Sequence, residues 1–134
     1  MVRIPTLLDT RRTLSFEFFP PKTPAANLTL GRTVAAIESL EPDFVSITYG
    51  AGGSDRHRTG EVVTWMVSET SWTPMPHLTC RGHRRADVVS LLDTYGDLGI
   101  ENILALGGDP PAGGIDEAGD YRYAMDPLED VVAT

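Results

Sequence analysis

Glu17 is the residue of this sequence best suited to proton chemistry. It lies in the apolar segment 14–19, whose aromatic content is typical of a β-strand. A carboxyl group flanked by Phe16, Phe18 and Phe19 is expected to be poorly solvated, and desolvation disfavours its charged form. Such a group suits a general acid at neutral pH. The structural alternative is a buried glutamate paired with a cation, but no lysine or arginine falls within the four predicted strands.

A second carboxylate, Asp109, follows another apolar segment in the run LGGDPP, residues 106–111. The two glycines allow the backbone to approach a ligand closely, and the two prolines stiffen the chain that follows. An aspartate here could stabilise a cationic intermediate. An ordinary turn aspartate would produce the same pattern, so this motif alone does not decide between the two.

Other polar residues have weaker chemical signatures. His77 could hydrogen-bond a ring or a phosphate, although a core histidine with ordinary partners is the commoner case. Residues 48–54 could bind an anion through backbone N–H groups, but they lack the lysine of a P-loop and the spacing of a dinucleotide fingerprint. His57 and His83 show no metal-ligand spacing, so we predict no metal site. The single Cys80 indicates an inert buried thiol in a reducing compartment.

The elements that position these residues alternate between strand and helix four times. Strands are predicted at residues 14–19, 43–48, 75–80 and 102–106. Thr23 and Pro24 are expected as N-cap and first residue of a helix that Pro42 stops. A second helix is predicted over residues 59–70, a third that Gly99 ends, and a fourth from residue 126.

This alternation predicts an α/β fold with a parallel sheet, either a doubly wound sheet or a (β/α)₈ TIM barrel. Successive strand residues point to opposite faces, so three strands each place two polar groups on the face away from the helices. A doubly wound sheet is covered on both faces and is continuously apolar, whereas a barrel has its active site at the end of its interior. We therefore favour the barrel. The polar pairs are Ser15 with Glu17, Ser46 with Thr48, and His77 with Thr79.

A complete barrel needs about 250 residues, and this chain has 134 residues. Residues 1–134 are accordingly predicted to be a single partial domain that supplies the first four βα units, the N-terminal half of a barrel. The sequence is either a fragment or a half-barrel that pairs with another, and the fragment is favoured.

The composition excludes several classes of partner. The net charge is −8, and residues 116–130 hold six acidic residues against one arginine. Such a surface repels nucleic acid and anionic membranes. A secretory leader and a membrane-spanning apolar run are both missing from the sequence, which leads us to expect a cytoplasmic protein.

Four segments together resemble the methylenetetrahydrofolate reductase family. They are SFEFFPPKT at 15–23, FVSITYGAGGS at 44–54, PHLTC at 76–80 and NILALGGDPP at 102–111. The resemblance covers nearly the whole chain, in order, with one motif at each strand end. It implies a barrel that binds FAD and uses NADH or NADPH to reduce 5,10-methylenetetrahydrofolate to 5-methyltetrahydrofolate, a step of one-carbon metabolism and methionine biosynthesis.

The resemblance also implies roles for individual residues. Glu17 matches the acid that protonates the folate nitrogen as the ring opens, and Asp109 matches the carboxylate that stabilises the resulting cation and contacts the pterin. Gly107 stands where the family's fourth motif has an arginine that helps to hold the flavin. The positions that match flavin contacts are Thr48, Tyr49, Ala51, His77, Gly108, Asp109, Tyr123 and Ala124.

Several alternatives remain open. The missing strands are compatible with a non-catalytic truncated half-barrel or an assembly module. Gly107 is compatible with a flavin-independent reductase in which the nicotinamide transfers hydride directly. A lyase that uses Glu17 as a base is a further possibility. The expected ligands are a folate and a nicotinamide nucleotide, and assembly as a homo-oligomer is compatible with the family.

Overall fold

A computed structural model describes residues 1–49, 56–79 and 83–107 of the chain. The described elements alternate helix and strand, and a short 3₁₀ turn, Glu38–Leu40, follows the second helix. In chain order they are α1 (Ile4–Thr10), β1 (Ser15–Phe18), α2 (Pro24–Ile37), β2 (Phe44–Ile47), α3 (Arg56–Glu69), β3 (Pro74–Thr79), α4 (Arg85–Asp97) and β4 (Leu104–Leu106).

The four strands form one parallel sheet in the order β1-β2-β3-β4. The register places Glu17 beside Ser46 and His77 beside Leu104. The predicted α/β class with a parallel sheet is confirmed. Closure of this sheet into an eight-stranded barrel stays a prediction.

One face of the sheet packs under the helices. Phe18, Val45 and Ile47 are buried in a core that α2, α3 and α4 complete with Val34, Val63 and Tyr95 among others. Leu78 packs against Val88 of α4 in a second cluster. Since alternate strand residues point to opposite faces, the polar residues between these positions share the other face. The predicted separation of polar and apolar faces is therefore confirmed for β1, β2 and β3.

The strands begin or end up to two residues away from the predicted boundaries. β3 starts at Pro74, and Pro76 also lies within it, although proline has no N–H for a sheet ladder. The N–H of Val45 donates to the carbonyl oxygen of Thr73 at 2.9 Å. The backbone N–H and C=O groups of the odd-numbered residues of β3 therefore point toward β2. The backbone nitrogen atoms of the two prolines therefore point toward the side of β4. On that side β3 is paired only from His77 onward, so the missing N–H groups interrupt no ladder bond.

The start of α2 and the end of α4 follow the predicted signals, whereas α3 begins at Arg56, three residues before the predicted start. The Thr23 side chain accepts a hydrogen bond from the backbone N–H of Ala26 at 3.2 Å, and Pro24 is the first residue of α2. Gly99 follows α4 with a φ of +74°, the left-handed conformation that glycine adopts without steric cost. Of the described helices, none is long and apolar enough to cross a membrane.

Helix α1 was not predicted, and a distant asparagine anchors it. The Asn102 Oδ1 atom accepts a hydrogen bond from the Ile4 N–H at 2.8 Å, and its Nδ2 donates to the Val2 carbonyl oxygen at 2.8 Å. Both partners are about 100 residues away in the chain, so no local pattern could have indicated this contact. Asn102 thus ties the start of the chain to the segment that leads into β4.

We expect Asn102→Ala to lower the free energy of unfolding by about 1–3 kcal/mol, because it leaves the buried Ile4 N–H without its partner. Chemical denaturation of both proteins measures the difference. Asn27→Ala, at an exposed side chain of α2, is the matched control and should have a much smaller effect. Equal effects of the two substitutions would show that Asn102 does not anchor α1.

Candidate active site on the polar face of the sheet

Three side chains from three adjacent strands meet on the polar face. The Ser46 hydroxyl donates a hydrogen bond to Oε2 of Glu17 at 3.3 Å, and His77 Nε2 lies 3.6 Å from the same oxygen. Ser46 and His77 are buried, with 7% and 8% of their surface exposed. The structure thus brings together one residue from each predicted polar pair. We call these three residues the Glu17 cluster.

The solvation of Glu17 differs from the expectation. Its side chain is 50% exposed, so the prediction of a carboxyl sheltered by phenylalanines is wrong. Phe16 and Phe18 point to the helix side of the strand, where they pack in the core, and Phe19 is itself 75% exposed. Sequence neighbours on a strand cannot shelter a side chain that points to the opposite face.

The structural alternative for Glu17 is not observed either. Within residues 1–49, 56–79 and 83–107, Glu17 pairs with neither a lysine nor an arginine. Its two polar contacts, with Ser46 and His77, are both made by Oε2. The carboxyl group is therefore held on one side by the protein and open to solvent on the other.

Burial changes the ionisation of His77. Desolvation lowers the pKa of this imidazole below its ordinary value, and the nearby Glu17 carboxylate opposes that effect by raising it. His77 is consequently neutral at neutral pH. Its Nε2 atom is buried and has no hydrogen-bond partner among the residues that the structure describes. A ligand atom on the polar face could supply that partner.

Side-chain hydrogen bonds help to hold the chain that follows β2. The Tyr49 hydroxyl lies 2.9 Å from His83 Nε2, and both residues are buried. The carbonyl oxygen of Thr48 accepts a hydrogen bond from the Thr59 hydroxyl of α3 at 3.0 Å. The sequence assigned no role to His83, and no spacing could have revealed its contact with a residue 34 positions away.

The structure describes some of the predicted site residues and not others. Glu17, Thr48, Tyr49 and His77 are described, as is the half-buried Gly107 at the end of β4. In the described ranges, no three His, Cys, Asp or Glu side chains are grouped so that they could hold a metal ion. The predictions for the remaining positions concern residues outside those described, namely Ala51, Cys80, Gly108, Asp109, Tyr123, Ala124 and the helix from residue 126.

A large groove of about 1040 Å³ lies elsewhere, between α2 and α3. Its lining residues include Leu28, Arg32, Arg58 and Trp65. The three residues of the Glu17 cluster do not line it. The groove opens on the helical exterior, whereas the chemical groups of the Glu17 cluster lie on the opposite face of the sheet. We therefore place the candidate active site at the Glu17 cluster and not in this groove.

Comparisons with known proteins agree on one family. The family model described as methylenetetrahydrofolate reductase matches residues 3–132. The 5,10-methylenetetrahydrofolate reductase of Salmonella typhimurium is 41% identical over 100 residues, which are 75% of this chain and 34% of that protein. The enzyme of Pectobacterium carotovorum is 39% identical over 107 residues, 80% of this chain and 36% of that protein.

A plant relative gives longer coverage of the chain. The probable methylenetetrahydrofolate reductase (NADH) of Oryza sativa is 36% identical over 128 residues, 93% of this chain and 22% of that protein. The chain thus spans about a third of the length of the bacterial relatives and less of the plant one.

His77 makes the stability of the fold depend on pH. Its pKa is lowered from 6.5 in the folded state, so the unfolded chain binds a proton more readily as the pH falls through 6.5. We expect the free energy of unfolding to decrease below that pH and to do so less in a His77→Gln variant. Glu17→Gln removes the carboxylate that raises the pKa of His77 and should extend the decrease to lower pH. Urea denaturation from about pH 5 to pH 8 measures these slopes, and identical slopes for wild type and His77→Gln would contradict the assignment.

Proposed function

The chain belongs to the methylenetetrahydrofolate reductase family, and from this premise we propose that it reduces 5,10-methylenetetrahydrofolate with NADH or NADPH through bound FAD, with Glu17 as the general acid. The observation that carries the proposal is the Glu17 carboxyl on the polar face, fixed through Oε2 by Ser46 at 3.3 Å and free of any lysine or arginine partner in the described chain. A group held in this way can present a proton to a ligand on that face.

The chemistry of ring opening explains why an acid is needed. Hydride can attack the one-carbon unit only when that carbon is electrophilic, and cleavage of its bond to one folate nitrogen creates an iminium ion. The departing nitrogen takes up the proton that Glu17 donates. General acid catalysis of this kind contributes about 10²- to 10⁴-fold to a rate. Asp109, by resemblance, is the carboxylate proposed to stabilise the cation.

The exposure of Glu17 fits this role once a ligand is considered. A planar pterin lying over the polar face would displace water from the half-exposed carboxyl. Displacement of water disfavours the charged form, so the bound substrate itself would favour the protonated acid. Between turnovers the same exposure lets solvent return the proton.

Three described residues are proposed to hold FAD, which when bound supplies the hydride. These three are Thr48, Tyr49 and His77. The resemblance adds five further positions to the proposed flavin contacts: Ala51, Gly108, Asp109, Tyr123 and Ala124. The buried His77 Nε2 atom supports this proposal, because it has no hydrogen-bond partner within residues 1–49, 56–79 and 83–107 and a buried polar atom is normally hydrogen-bonded. Neutral imidazole can either donate to or accept from a flavin atom.

We further propose that the sheet is half of a closed (β/α)₈ barrel. In the described sheet β1 and β4 are edge strands, and the unpaired backbone N–H and C=O groups of an edge strand can pair with further strands. Leu104 and Leu106 are each 37% exposed and lie in register with His77 and Thr79, so apolar side chains also extend onto the polar face. Additional strands from the remainder of such a barrel would cover them.

A second candidate follows from the same edges. The 134-residue chain alone would be a non-catalytic half-barrel that associates through β1 and β4. Size-exclusion chromatography of this chain combined with a reductase assay separates the two candidates. A self-associated, flavin-free and inactive chain favours the second, whereas flavin binding with turnover favours the reductase.

We expect Glu17→Gln to reduce the rate of methylenetetrahydrofolate reduction by about 10²- to 10⁴-fold, because the amide cannot donate the required proton. Reduction of the flavin by NADH requires no proton on the folate and should be retained. Stopped-flow measurement of each half-reaction separates the two effects. Glu38→Gln, in the exposed 3₁₀ turn, is the carboxyl control, and a wild-type rate for Glu17→Gln would refute the assigned role.

We expect Gly107→Arg to tighten FAD binding about tenfold, which corresponds to ~1.4 kcal/mol. The substitution restores the cation of the family motif at the end of β4, where it can form charge-assisted hydrogen bonds with an anionic group of the cofactor. Quenching of FAD fluorescence measures the dissociation constant. Gly107→Gln has a long polar side chain without the charge, and equal tightening by this variant would show that the cation is not the cause.

A further inference from the structure

We infer that Ser46 is a positioning residue for Glu17, holding Oε2 beside His77 so that Oε1 is the oxygen presented to a ligand. The inference rests on the proposed role of Glu17 as the acid. Ser46 lies in β2 between β1 and β3, in register with Glu17 on one side and Met75 on the other. This central position fixes its backbone on both sides.

The two oxygens of the Glu17 carboxyl have different surroundings. Oε2 accepts the hydrogen bond from Ser46 and faces His77, and these two partners are among the buried polar residues. The Glu17 side chain as a whole is 50% exposed, and both of its described polar contacts are made by Oε2 and not by Oε1. A protonated carboxyl has a single O–H donor. Because Oε2 already accepts the Ser46 hydrogen, we assign the proton of the acid to Oε1.

The two side chains also differ in conformational freedom. A serine on a central strand has one rotatable bond to its hydroxyl-bearing carbon, whereas glutamate has three and loses more rotamer entropy when it is fixed. A half-exposed glutamate without a partner would sample several rotamers. The Ser46 hydrogen bond offsets part of that cost before any ligand binds, and a catalytic group held in place reacts faster than one that must be ordered in each turnover.

A packing role is the competing explanation for a small buried residue at this position. A serine that merely fills space would act on its neighbours through volume and would have no effect that depends on the Glu17 charge. The pKa of His77 distinguishes the two explanations, because Glu17 raises that pKa by a Coulombic effect that falls with distance. If Ser46 holds the carboxylate beside His77, loss of the hydroxyl weakens the effect.

The experiment is a double-mutant cycle read by NMR titration of the His77 ring in the 134-residue chain. The proteins are wild type, Ser46→Ala, Glu17→Gln and the double variant. Ser46→Cys preserves the shape with only a weak donor and replaces the alanine variant if that one fails to fold. Ser15→Ala is the matched control, because it removes an exposed hydroxyl from the same face of β1.

We expect Ser46→Ala to lower the pKa of His77 toward the value in Glu17→Gln, and to have no effect when Glu17 is already glutamine. Ser46→Thr, which retains the hydroxyl, should restore the wild-type titration, and Ser15→Ala should leave it unchanged. An unchanged or raised pKa in Ser46→Ala, or a decrease that persists in the Glu17→Gln background, would overturn the inference.

A kinetic arm separates this inference from the proposed function. In the active reductase, Ser46→Ala should lower kcat about tenfold with little change in KM, because the acid is misplaced and binding is retained. A wild-type rate for Glu17→Gln would remove the proposed function, while the NMR cycle would still report whether Ser46 holds Glu17. A kcat for Ser46→Ala equal to that of wild type, beside an inactive Glu17→Gln, would overturn the inference alone.

Discussion

The register between β1 and β2 is the constraint on which the candidate site depends. A shift of one residue would turn every side chain of a strand to the opposite face, so Glu17 would point under the helices and Phe18 onto the polar face. Asp43 fixes this register at the start of both strands. Its carboxylate accepts the Leu14 N–H at 2.8 Å, its own N–H donates to the Leu14 carbonyl oxygen at 2.9 Å, and Arg11 pairs with it. Contacts at the start of β1 and β2 thus determine which side chains lie together in the Glu17 cluster.

The Glu17 cluster combines a half-exposed carboxyl group with two buried partners, and this asymmetry suits the repeated proton transfer that we propose. A carboxyl group buried on all sides would keep its proton but would be reprotonated slowly after giving it up. A carboxyl group exposed on all sides would be ionised and would have no fixed orientation. Ser46 and His77 supply a fixed, desolvated boundary on one side of Glu17. The neutral state of His77 matters here, because a protonated imidazole at 3.6 Å would stabilise the carboxylate and oppose its role as an acid.

Sequence reasoning succeeded where the determining physics is local and failed where it is not. The Thr23 cap, the Gly99 helix end and the placement of Val45 and Ile47 in the core opposite Ser46 follow from neighbouring residues, and the structure has them as expected. Helix α1 depends on Asn102, about 100 positions away, and has no such signal. The solvation of Glu17 was misjudged because aromatic neighbours in sequence were treated as neighbours in space, although a strand sends them to the other face.

The first turn of α3 connects the acid to the proposed flavin contacts. Arg58 donates from Nη1 to the carbonyl oxygen of Pro21 at 3.1 Å, and Thr59 donates to that of Thr48 at 3.0 Å. Adjacent residues of one helix therefore hold the chain leaving β1 and the chain leaving β2. The N–H of Thr48 donates to the carbonyl oxygen of Phe18 at 2.9 Å, so the sheet itself sets the separation between the strand ends that carry Glu17 and Thr48, and α3 holds the chain beyond them. In parallel α/β proteins ligands bind at these carboxyl ends, so α3 stabilises the chain segments that follow the proposed acid and the first of the proposed cofactor contacts.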